Sequence, residues 1–145
     1  MSQAKFDIRL VKISEHPNEF SSCVISPDNE ERGTIFFQHP TLGDHSFEDK
    51  DTFGAFCKMR LFLEKQGWQI LCNGARVDAY PSGMSRDMCG GIKLYILKMG
   101  QKTQRSDLVK IFDPAELENV GTVEEQRRYY QEWQESHSYP SLTNP

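Results

Sequence analysis

Residues 5–13, KFDIRLVKI, set Phe6, Ile8 and Leu10 against Asp7, Arg9 and the later Lys12. Apolar side chains at every second position mark a strand with one face in a core and the other in water. Two further runs follow. Residues 20–26 (FSSCVIS) come after the break His16-Pro17-Asn18, and residues 34–38 (TIFFQ) lie between Pro27-Asp28-Asn29 and His39-Pro40. Proline, asparagine and aspartate between short apolar runs are turn chemistry, so the first 40 residues predict a three-stranded antiparallel meander.

The pattern then changes period. Asp49 and Asp51-Thr52 offer N-cap oxygens before a stretch with apolar residues at Phe53, Phe56, Cys57, Met59, Leu61, Phe62 and Leu63, and Gly67 is placed to end it. This predicts a helix over 53–66 packed across the sheet. Residues 68–72 (WQILC) read as a short buried strand. Residues 91–99 (GIKLYILKM) carry apolar bulk on both faces and predict a central strand; 108–112 reads as its hairpin partner or, from the spacing of Leu108, Val109, Ile111 and Phe112, as one turn of helix. At the C-terminal end, Thr122-Val123-Glu124-Glu125 matches a capping box and predicts a helix over 123–136. Val123, Tyr130, Trp133 and His137 fall on its stripe with Tyr129 at the edge. Together these elements predict a single α+β domain over 1–137, a mostly antiparallel sheet packed against one central and one C-terminal helix, with a frayed tail at 138–145.

The stretch that resists this reading is NGARVDAYPSGMSRDMCGG, residues 73–91. It is long for a plain connector, and Val77, Tyr80, Met84 and Met88 give it apolar anchors. A short strand within 75–80 leaves 81–91 irregular. Arg76 and Arg86 are suited to clamp a carboxylate or phosphate, with Asn73 and Ser85 as orienting hydrogen-bonders and Asp78 or Asp87 as a base. These six residues are the ligand-site candidates. The competing reading is internal pairing of the arginines with Asp78 or Asp87. No nucleophile elbow, no phosphate loop and no nearby histidine accompanies Ser85, which argues against a hydrolase.

The 145 residues carry 17 Lys and Arg against 21 Asp and Glu, a net charge of −4. The charge is uneven: residues 1–70 hold 11 acids and 8 bases, 71–112 hold 3 and 7, and 113–145 hold 7 and 2. A basic middle suits an anion or an acidic partner, and an acidic end suits a basic one. With pI near 5.6 and no Lys/Arg run, nucleic-acid binding is disfavoured. Cys23, Cys57, Cys72 and Cys89 show no metal-ligand spacing, which predicts inert buried thiols, no metal and no cofactor. The absence of an apolar leader in MSQAKFDIRL and of a long apolar run predicts a cytoplasmic protein without membrane attachment.

The run LCNGARVDAYPSGMSRDMCGGIKLYILKMG, with DLVKIF and VGTVEEQRRYYQEW, resembles small uncharacterised bacterial α+β proteins over residues 71–133. That resemblance carries no activity and no catalytic assignment. In size and class alone the chain is also similar to bacterial toxin-immunity proteins, which implies a protein partner. The sequence therefore predicts a non-enzymatic protein-binding module, of the immunity type in its specific form, or a self-associating subunit. Tyr129, Tyr130 and Trp133 are its interface candidates, because aromatic side chains dominate binding hot spots. The alternative is a small-molecule or anion site, or an enzyme, built on the 73–91 loop.

Overall fold

A computed structural model describes residues 4–13, 17–28 and 33–143. The alternation of the first 40 residues folds as predicted. Strand β1 (Phe6–Lys12) pairs antiparallel with β2 (Glu19–Pro27), and β2 with β3 (Thr34–His39). His16 and Asn29 of the predicted turns lie outside the described residues. A fourth strand, β4 (Gly43–Glu48), extends the meander, and β5 (Trp68–Ile70) adds to the other edge, giving the order β4-β3-β2-β1-β5. The composition GDHSFE hides β4, since glycine and aspartate are poor strand formers. It forms because the Pro40–Leu42 turn is tied back. His39 Nδ1 accepts from the backbone N–H of Thr41 and Leu42 at 3.1 and 3.0 Å.

One face of this sheet carries Ile8, Leu10, Ile25, Ile35 and Phe37, all buried. Helix α1 (Thr52–Glu64) lies against that face through Phe53, Phe56, Met59 and Leu63. Each large apolar side chain fully buried there stabilises the fold by roughly 1.5–3 kcal/mol. Asp51 caps the helix by accepting from the Gly54 N–H at 2.8 Å.

A second, three-stranded antiparallel sheet stands beside the first. It runs β6 (Ala79–Tyr80), β7 (Lys93–Ile96), β8 (Leu108–Lys110), with β7 in the middle. The 91–99 strand is thus central, but to this small sheet and not to the large one. Between β6 and β7 the supposedly irregular stretch contains a helix, α2 (Gly83–Cys89). Ser82 caps it by accepting from the Ser85 N–H, and Gly90 closes it at φ 71°. No residue of α2 is buried, so the helix packs no face into the core.

Helix α3 is Val123–Thr143, and its capping box is present in both directions: Thr122 Oγ1 accepts from Glu125 N–H and Glu125 Oε1 from Thr122 N–H. It continues past residue 136, where the sequence pattern ends. Contacts from the turn after β7 hold it as far as Ser136, since Ser136 Oγ accepts from Gly100 N–H and Trp133 Nε1 donates to the Gln101 carbonyl. Among the described residues no helix is long and apolar enough to cross a membrane.

Candidate functional site

The 73–91 segment is held by two buried polar side chains from the helices around it. Arg60 of α1 donates to the carbonyls of Gly74 and Gly121 and to Gln126 Oε1, at 3.2, 2.9 and 2.6 Å. Gln126 of α3 spreads its amide over the carbonyls of Gly74, Arg76 and Ala79 at 2.8–2.9 Å. An NH₂ group has two protons, so one is shared. Gly74 itself sits where a Cβ would come within 2.6 Å of both Ile111 and Phe56. Sequence periodicity could not identify Arg60 or Gln126, because polar residues on helices are ordinarily solvated.

The predicted ligand residues do not converge. Arg76 forms a bidentate pair with Asp78 at 2.8 and 2.9 Å, and that hydrogen bond raises the arginine further above its ordinary range. Arg86 reaches back to α1 and pairs with Asp51 at 2.7 and 3.0 Å, lying over the Phe53 ring. Asn73 donates to the Lys110 carbonyl, and Ser85 Oγ donates to the Lys93 carbonyl at 2.7 Å. Five of the six are thus engaged within the fold. Asp87 alone is exposed and makes no ion pair among the described residues.

The aromatic candidates on α3 are also engaged. Tyr129 donates to the Leu97 carbonyl, Trp133 Nε1 to that of Gln101, and Tyr130 stacks on Tyr80 with centroids 3.9 Å apart. They fasten α3 to the second sheet.

What the fold does assemble is a cavity of about 400 Å³ where α2, β7 and β8 meet the N-terminal end of β1. Phe6, Met88, Ile92 and Phe112 give it apolar walls, and Asp28, Asp87, Lys93, Lys110 and Asp113 supply charge. Its volume falls in the range of small-ligand pockets. Beside it α2 presents Met84 and Met88, 71% and 79% exposed, one helical turn apart. Only Asp87 of the six predicted residues lines this cavity. Met84 and Met88 entered the sequence reading as anchors pointing inward; with no buried face on α2, they point out.

Cys89 also lines the cavity and departs from the expectation of inert thiols. Burial pushes its thiol up, but the backbone N–H groups of Lys93, Ile92 and Gly91 around the sulfur leave the pKa below the usual 9.0. Cys23 and Cys72 behave as expected: burial pushes both up to about 12.

A Ser21–His39 contact of 2.8 Å invites a nucleophile reading, and the proton inventory argues against it. His39 Nδ1 accepts two backbone N–H groups, so the proton of the neutral ring is on Nε2 and is donated to Ser21 Oγ. A base must accept that hydroxyl proton. Among the described residues no three His, Cys, Asp or Glu side chains gather as a metal site. No protein-family model matches the chain, and no curated protein matches it.

Proposed function

We propose that the chain is a non-enzymatic protein-binding module whose recognition surface is the exposed methionine face of α2 together with the adjoining cavity. The observation that carries this reading is the pair Met84 and Met88, exposed beside an open apolar cavity. Methionine is flexible and polarisable and suits surfaces that adapt to a partner's side chains. A partner segment lying along α2 would cover both methionines and place one apolar side chain between Phe6, Ile92 and Phe112. The aromatic residues of α3 are less suited, their polar groups being spent within the chain.

A bacterial, cytoplasmic immunity-type inhibitor is the specific form of this proposal; the four free thiols support a reducing compartment. The test compares wild type, Met84→Asp/Met88→Asp and Leu61→Asp, the last on an exposed site of α1, as baits in the native host. Wild type and Leu61→Asp should recover the same stoichiometric partner and the methionine variant should lose it. Equal recovery by all three baits, or none by any, removes the reading. A partner that arrests growth alone and not with the chain would establish the immunity form.

A small-molecule ligand in the same cavity is the second reading, favoured by its volume. In a thermal-shift screen a ligand at 100 times its dissociation constant should stabilise the fold by about 2.7 kcal/mol.

A further inference from the structure

We propose that the segment docked at α2 is acidic, and that its carboxylate is received between Lys93 and Lys110. The inference rests on the docking reading above and adds the partner's chemistry. Lys93 of β7 and Lys110 of β8 are direct cross-strand partners, both exposed and both lining the cavity. Side chains directly opposite on neighbouring strands sit about 5 Å apart at Cβ, and like charges there destabilise the sheet. A carboxylate between them replaces one repulsion by two attractions.

The unpaired bases of residues 71–112 point the same way. Of the seven bases in residues 71–112, Arg76, Arg86 and Lys98 are already paired, with Asp78, Asp51 and Asp107. Lys93, Lys102, Arg105 and Lys110 make no ion pair among the described residues. Asp28, Asp87 and Asp113 also line the cavity; Asp87 and Asp113 form no ion pair with Lys93 or Lys110 among the described residues, so a carboxylate is received at the lysine pair itself and not across the whole lining. The same sheet face carries Tyr95 and exposed Leu108 in the next cross-strand pair. The cation pair is therefore flanked by apolar surface on both sides, by the cavity and by Leu108. An extended or helical segment that alternates Asp or Glu with Leu, Phe or Met matches the lysine pair and its apolar flanks.

The experiment selects binders to the whole chain from a random peptide library displayed on phage and measures each selected peptide against the wild type and three variants. Peptides should combine Asp or Glu with large apolar residues and lose binding to Met84→Asp/Met88→Asp. In Lys93→Glu/Lys110→Glu, reversing two exposed contacts should raise Kd about tenfold or more, and added salt should weaken wild-type binding. Lys65→Glu, at the C-terminal end of α1 and about 20 Å along that helix from cavity-lining Thr52, should bind like wild type. Peptides that need the methionines but are neutral or basic, and ignore the lysine reversal, overturn the acidic assignment while leaving the docking surface standing. Absence of any methionine-dependent peptide overturns both. Sodium decanoate, titrated in parallel by methyl NMR of Met88, supplies an apolar chain and a carboxylate without a peptide. Saturation by decanoate with no selected peptide would assign the cavity to a free amphipathic anion and overturn the peptide proposal.

Discussion

Replacing Arg60 with methionine keeps the length and apolar stem of the side chain and removes only its guanidinium. In the native fold that group is 2% exposed, burial pulls its pKa down, and it makes no ion pair among the described residues. Its three hydrogen bonds span α1, the start of the 73–91 segment and the entry to α3. In Arg60→Met the Gly74 carbonyl keeps its bond from Gln126, whereas the Gly121 carbonyl and Gln126 Oε1 lose the donor that Arg60 supplied. Each buried acceptor left unsatisfied costs about 1–3 kcal/mol. Relief from burying a charge offsets part of the sum, which leaves a net loss of about 3 kcal/mol. For a domain of this size that corresponds to a Tm lower by about 10 °C. Urea unfolding followed by far-UV circular dichroism and by the fluorescence of Trp68 and Trp133 measures it. A cycle with Gln126→Met should show a coupling of about 1–3 kcal/mol. A variant within about 0.5 kcal/mol of wild type, or strict additivity with Gln126→Met, would refute the claim that this network holds the segment.

The other predictions follow from single contacts. Arg86→Met should cost about 1–3 kcal/mol, because Asp51 is buried and both its carboxylate oxygens receive the Arg86 guanidinium; chemical denaturation checks it, and no change would mean the pair is not held in solution. Gly74→Ala should destabilise by about 1–3 kcal/mol through overpacking, since its Cβ meets Ile111 and Phe56 at 2.6 Å; a gain in stability would contradict the close approach. Iodoacetamide should label Cys89 first, with a half-maximal rate at a pH below 9.0; mass spectrometry should find Cys23 and Cys72 unlabelled until the chain unfolds. Those two thiols also set a limit at alkaline pH. Their folded pKa values are raised to about 12 from 9.0, so the stability they contribute is intact below pH 9 and is lost as pH rises toward 12. The slope is about 1.4 kcal/mol per pH unit for each thiol, and a Cys23→Ala/Cys72→Ala variant should lack it.

The elements that local pattern determines were legible without coordinates. Alternation in β1 to β3, the helical stripe of Phe53, Phe56 and Leu63, and the Thr122–Glu125 capping box all follow from neighbours within a few residues, and they suffice for the α+β class. The helix α2 lay at the limit, because its signals are a Ser82 cap and a Gly90 stop without any buried face between them. Which polar groups are spent and which remain available was decided by the tertiary structure alone. Arg86 finds Asp51 from 35 positions away, Asn73 finds the Lys110 carbonyl from 37, and Arg60 meets Gln126 across 66. The cavity likewise joins Phe6, Met88 and Lys110 from three distant parts of the chain. Periodicity reports how one element divides its faces between core and water. It carries no information on which distant element closes over a given side chain, and that closure is what separated the engaged residues of the 73–91 segment from the exposed methionines and lysines.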